Sequence, residues 1–242
     1  MSPWYTKLVD EKGHYYHQHV VIPGVLRLLQ LDRSSRLLDV ASGQGVLGRA
    51  IPKEVSYTGF DIAPSLVEFA KKADKEPNHT YLVGDATKPL PLGKWTFTHA
   101  AIVLALQNIE NAEAVIEHIN AHMTNLGVLV IVLNHPSFRI PRQSAWGIDE
   151  ENKLQYRREN MYMSALKIPI TMHPGEEVSD VTWSFHHPLQ YYSTLLTKNG
   201  FVIDALEEWT SDKESSGAAS RMENRGRSEF PLFLTLRARK NH

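Results

Sequence analysis

Residues 37–48 read Leu37-Leu38-Asp39-Val40-Ala41-Ser42-Gly43-Gln44-Gly45-Val46-Leu47-Gly48. The apolar run Arg36 to Val40 that feeds this turn has the length and composition of a buried strand. Gly43 to Gly48 spells GxGxxG, a weak signal by itself and one compatible with a dinucleotide site. Glycines in such a turn let the backbone come close to a ligand at a helix N-terminus. The anionic group received there is a pyrophosphate or a carboxylate. Gly45 to Ile51 reads as the helix after the turn, with Pro52 ending it because a residue before proline is pushed out of the α region.

The same alternation continues outward. Val20 to Leu31 reads as a helix before the first strand, and Val55 to Phe60 as the second strand. Pro64 to Lys72 is a helix with its proline in the first turn, Thr80 to Val83 a third strand and Thr96 to Leu104 a fourth. Ala112 to Met123 is a helix ending near Asn125-Leu126-Gly127. Val128 to Leu133, apolar throughout, is a fifth strand of the central parallel kind. Strands alternating with helices predict an α/β fold, a Rossmann-like, doubly wound, mostly parallel sheet. The pattern breaks at 136–187, where aromatics, charges and prolines mix, and this stretch is expected to be an inserted substrate lid. Pro188 to Asn199 is a helix capped by Gly200. Phe201 to Leu206 and Pro231 to Ala238 are strands expected to pair antiparallel, and Ser220 to Glu229 suits a short helix between them. That makes one domain over 1–242: an N-terminal cap segment (1–31), a cofactor-binding core (32–135), the lid (136–187) and a C-terminal helix with strands (188–242).

Composition narrows the function. The 242 residues carry 26 basic and 27 acidic side chains, a formal net charge of -1. Bulk charge therefore argues against nucleic acid or an anionic membrane as partner. The chain has no cysteine, which removes disulfides, cysteine-ligated metals and thiol nucleophiles. No apolar run approaches the roughly 20 residues of a spanning helix. A cytoplasmic protein is the expectation, and nothing in the sequence sets its oligomeric state.

Three acids discriminate between ligands. Asp39 interrupts an apolar strand, and a buried carboxylate needs a partner, such as a cationic amine on the ligand. Asp61 ends the second strand, 18 residues after Gly43, where a carboxylate accepts from ribose hydroxyls. Asp85, after the third strand, is placed to accept from an exocyclic amine.

With these in order the sequence resembles the class I, Rossmann-like, S-adenosylmethionine-dependent methyltransferases of small-molecule type. LLDVASGQG (37–45), GFDIAP (59–64) and VGDATKPLPL (83–92) are similar to the family's first three motifs. FTHAAIVLALQNIEN (97–111) and LGVLVIVLNHPSFR (126–139) are similar to its fourth and fifth strands. The resemblance implies a seven-stranded sheet with one antiparallel C-terminal strand, with S-adenosyl-L-methionine as cofactor and S-adenosyl-L-homocysteine as product. Ala41, Ser42, Gly43 and Gly45 would hold the methionine moiety, with Asp39 near its ammonium. Asp61 would bind the ribose, Ile62 would pack on adenine, and Asp85 with Ala86 would contact the adenine amine and ring. Ile102 and Leu104 would line the sulfonium side. Two departures stand: Ala41 replaces the first glycine of the usual motif, and Thr98 stands where an acid is common.

Transfer from a sulfonium mainly requires alignment of the acceptor and exclusion of water. A base is needed only where the acceptor loses a proton. His135, after the fifth strand, and Gln107, after the fourth, are the catalytic candidates, with packing roles as the alternative. Metal-dependent relatives use a carboxylate near the end of strand five; here Asn134-His135-Pro136 stands there, so no metal is expected. Arg139, Arg142, Trp146, Tyr156 and His186 are the substrate candidates, suited to a planar or anionic small-molecule acceptor. Tyr16 and His17 are candidates for a segment folding over the cofactor. The competing readings are an RNA methyltransferase, a nicotinamide oxidoreductase resting on the literal GxGxxG, and a cofactor-binding protein without activity.

Overall fold

The computed structural model describes residues 15–171 and 181–241. The early part of the cap segment and residues 172–180 of the lid lie outside the described residues.

A seven-stranded sheet organises the chain. Its strands are β1 (Arg36–Val40), β2 (Ser56–Asp61), β3 (His79–Val83), β4 (Phe97–Val103), β5 (Met123–Asn134), β10 (Phe201–Trp209) and β11 (Phe233–Lys240). Their order is β3-β2-β1-β4-β5-β11-β10. β3, β2, β1, β4 and β5 pair in parallel, and β11 runs antiparallel to both β5 and β10. The strand order turns back between β1 and β4, which opens a crevice at the carboxyl ends of the strands. The helices are α1 (Ile22–Leu29), α2 (Pro64–Ala73), α3 (Ala112–His122), α4 (Leu189–Lys198) and α5 (Ser220–Glu229).

Period-two alternation divides the interior into two cores, one on each face of the sheet. Val128, Val130 and Val132 of β5 pack with Leu37 and with Val25 and Leu29 of α1. Leu129, Ile131 and Leu133 pack on the opposite face with Leu38, Ile102, Ile116 of α3 and Leu195 of α4. A strand buried on both faces has to be apolar at every position, which is why β5 is the most hydrophobic stretch of the chain. α1 lies close to β10. A Cβ on Gly24 would sit 2.4 Å from the Trp209 ring, so only glycine permits this approach. Arg27 pairs with Glu207, and the Arg237 guanidinium donates to the Leu28 carbonyl at 2.9 Å.

Two local expectations are corrected. The helix expected over Gly45 to Ile51 is only a single 3-10 turn, Gly48–Ala50. Gly43 (φ 55°) and Gly45 (φ 72°) take left-handed conformations and Ile51 is extended before Pro52, leaving no length for a longer helix. The chain break expected at Asn125-Leu126-Gly127 is an irregularity inside β5. That strand starts at Met123, with Leu126 at φ 61° and a register shift against β4. The segment after β5 is built of two antiparallel hairpins, β6 (Ser144–Asp149) with β7 (Leu154–Glu159) and β8 (Leu166–Thr171) with β9 (Val181–His186).

Candidate active site

The carboxyl ends of β1, β2 and β4 enclose a cavity of about 540 Å³. The turn after β1 forms its floor. Ala41, at φ 57°, and Gly43 bend the backbone, and a Cβ on Gly43 would meet nothing within 4 Å. Asp61 locks this turn in place. Its Oδ2 accepts from the Gly43 N–H at 2.8 Å and its Oδ1 from the Ala63 N–H at 2.9 Å. The carboxylate therefore ties the end of β2 to the glycine turn while facing the cavity.

Asp39 also lines the cavity and is 2% exposed. The Tyr57 hydroxyl donates to its Oδ2 at 2.7 Å, across the β1–β2 pair. Burial, opposed by that bond and reinforced by the nearby Asp61, pushes the Asp39 carboxyl up to about 7. Asp85 is held at the rim by the Thr87 N–H (2.8 Å) and hydroxyl (2.7 Å), which lower its pKa. Ile62, 66% exposed, and Ala86 present apolar walls, and Leu104 closes the side at the end of β4 with φ 55°. His17, Asn108, Glu110 and Thr182 of β9 complete the mouth. Among the described residues the cavity lining holds four carboxylates and no lysine or arginine.

Other expected site residues lie elsewhere. Ile102 is fully buried in the core on the other face of β4, because its neighbours Ala101 and Val103 occupy the alternate positions. Gln107 is buried and donates to the Leu104 carbonyl at 2.9 Å; it supports the end of β4 from outside the cavity. His135 is also outside it. Its Nε2 donates to Glu208 at 2.8 Å, and its Nδ1 accepts from the N–H groups of Ser137 and Phe138. Desolvation keeps its pKa low. A ring with both nitrogens engaged pins the turn after β5 to β10 and has no site for a substrate proton. His186 bonds the Tyr162 carbonyl at 2.8 Å inside the lid. Tyr156 packs over Gly147. Tyr16, Arg139, Arg142 and Trp146 gather around a second cavity of about 470 Å³ at the end of β5.

Sequence reasoning did not single out Tyr57, Gln44, Glu110 or Thr182 for the site. Tyr57 reaches Asp39 only through the register of β1 against β2. Thr182 depends on where the second hairpin docks, with Lys167 pairing Glu110 at 2.9 Å. Neither signal is local in sequence.

Residues 38–131 match the family model of a methyltransferase domain. The stretch reads as a methyltransferase domain on a Rossmann-like sheet. Solved methyltransferases share its fold. One is an S-adenosylmethionine-dependent methyltransferase from Mesorhizobium loti, with TM-score 0.71 and 22% identity, covering 90% of this chain and 96% of that one. Another, a putative S-adenosylmethionine-dependent methyltransferase from Listeria monocytogenes, has TM-score 0.69 and 19% identity, covering 91% and 98%. The glycopeptide N-methyltransferase MtfA, solved with S-adenosylmethionine, has TM-score 0.56 and 14% identity, covering 86% and 87%. No curated protein matches the chain.

S-adenosyl-L-methionine, the cofactor named for the solved methyltransferases of this fold, suits the cavity. Both polar atoms of the Gln44 side chain are buried in the lining without a protein partner. A buried carboxylate pushed up to about 7 calls for a cation, and among the described residues no lysine or arginine lines the cavity beside it. No helix among the described residues is long and apolar enough to cross a membrane.

Proposed function

We propose that this methyltransferase acts on a small-molecule acceptor by in-line displacement, without a catalytic metal. The bound cofactor supplies a methyl carbon already activated by its sulfonium charge. The chain supplies the rest. Asp39 receives the amino group of the methionine moiety and Asp61 the ribose hydroxyls. Asp85 takes the adenine amine, with Ile62 and Ala86 against the ring. Leu104 shields the reacting side from water.

The observation that carries the small-molecule reading is the second cavity. Its volume of about 470 Å³ lies within the usual range of small-ligand pockets. It stands at the end of β5, beside the β4 end that lines the cofactor cavity, and the insert walls it. Asn134 offers no carboxylate there, which supports chemistry without metal. With both nitrogens engaged, His135 is not placed to take a proton from the acceptor.

The enzyme incubated with a methyl-tritiated cofactor and a cell extract will label the dialysable fraction. Label found only in RNA or protein overturns the small-molecule assignment.

A further inference from the structure

The two cavities carry opposite charge. The cofactor cavity is lined by Asp39, Asp61, Asp85 and Glu110, with no lysine or arginine among the described residues. The second is lined by Arg139, Arg142 and Arg157, with no aspartate or glutamate among the described residues. Three guanidiniums facing one small space repel one another, so this arrangement costs stability in the absence of an anion.

Each arginine is held differently. Arg139 has no carboxylate within ion-pair distance among the described residues; its guanidinium lies 5.8 Å from the Phe233 ring. The walls desolvate it and lower its pKa. Arg157 is fixed by neutral acceptors, the Phe138 carbonyl and the Ser144 hydroxyl (2.8 Å), and stacks 4.9 Å from the Trp146 ring. Burial and the neighbouring Arg139 lower its pKa, and Glu159, outside the lining, opposes them. Arg142 sits in the left-handed region at φ 61°, a strain that a non-glycine residue bears where surroundings impose it.

Aromatic rings frame the same space. Phe230 meets Trp146 edge-on at 5.3 Å and Phe138 at 5.4 Å, and Trp146 stays 42% exposed. Flat walls beside fixed guanidiniums suit a planar group bearing anionic oxygens. The cavity is also placed for transfer. Tyr16 lines it while the next residue, His17, lines the cofactor cavity. Leu104 at the cofactor cavity bonds to Val132 of β5 at 2.8 Å, two residues before Asn134.

We propose that the second cavity is the acceptor pocket and that it selects acceptors carrying a carboxylate or phosphate on a planar ring. The proposal rests on the cofactor reading of the first cavity.

The test is calorimetric titration of the full chain saturated with S-adenosylhomocysteine, at constant ionic strength. The probes are benzoate, phenyl phosphate, benzyl alcohol and inorganic phosphate. Benzoate or phenyl phosphate is expected to bind at least about ten-fold more tightly than benzyl alcohol. Whichever binds better tells carboxylate from phosphate as the preferred anion. R139Q and, separately, R142Q are expected to lose about ten-fold in aryl-anion affinity. Their S-adenosylhomocysteine affinity should stay at the wild-type value, which also reports that each variant is folded. Equal binding of benzyl alcohol overturns the anion requirement, and equal binding of inorganic phosphate and phenyl phosphate overturns the ring requirement. No aryl-anion binding by protein that holds S-adenosylhomocysteine overturns the proposal alone. Failure to bind S-adenosylhomocysteine overturns the cofactor reading and the proposal with it.

Discussion

Asp39 combines burial, a single tyrosine donor and a second carboxylate nearby, so its charged form is costly until a cation arrives. Its folded pKa of about 7 lies above the ordinary value of 3.8. A raised carboxyl pKa contributes stability that is complete below the unfolded value and lost as pH rises through the folded one. Asp39 therefore destabilises the cofactor-free protein between pH 4 and 7, by up to about 4 kcal/mol once fully ionised. D39N is expected to raise the melting temperature at pH 8 and leave it unchanged at pH 4, read by scanning fluorimetry. The same variant should bind S-adenosylhomocysteine at least about ten-fold more weakly. An unchanged melting temperature at pH 8 would show that Asp39 carries no strained charge. Asp61 acts by geometry. Asn in its place keeps only one of the two accepting oxygens, so D61N should lose either the Gly43 or the Ala63 contact. The expected loss is about 1.5–3 kcal/mol of cofactor binding, roughly 10- to 150-fold in the calorimeter. The three aspartates were legible in the sequence because acids at strand ends next to a glycine turn are a local signal. Tyr57 and Gln44 were not, since their importance arises from a strand register and an unpaired buried amide. His135 and Gln107 follow the correct strands, yet hydrogen bonding turns both away from the cavity.

At the scale of elements, the sheet was read well because β1, β2, β4 and β5 are short apolar runs bounded by turn residues. The insert was harder. Its strands alternate polar and aromatic residues with both faces partly wet, so no periodicity stands out. Trp146 and Arg157 stand opposite each other in β6 and β7, a pairing that appears only once the hairpin register is known. The docking of α1 was also invisible, because Gly24 looks like a weak point in a helix. It is the contact that admits Trp209. G24V should therefore destabilise the protein by about 1–3 kcal/mol through overpacking. At this chain length each kcal/mol lowers the melting temperature by about 2–4 °C. No loss of melting temperature would mean that α1 sits farther from β10. The Lys167–Glu110 pair bridging the second hairpin to the cofactor cavity is exposed, so K167A should change stability by no more than about 1 kcal/mol.

Over the whole molecule the near-zero net charge conceals a separation of sign, acidic around the cofactor and basic around the second cavity. A count of charged residues cannot show this, since the acids come from the ends of β1 to β4 and the arginines from the segment after β5. The fold brings the two groups to neighbouring strand ends. The central claim, that the acidic cavity holds the cationic cofactor, is tested most directly by calorimetric titration with S-adenosylhomocysteine, with NADH as control, at pH 6 and pH 8. The account predicts micromolar binding of S-adenosylhomocysteine alone. Because the ammonium needs Asp39 ionised, affinity should be about ten-fold weaker at pH 6, with a proton released on binding. Binding of NADH without S-adenosylhomocysteine would contradict the account.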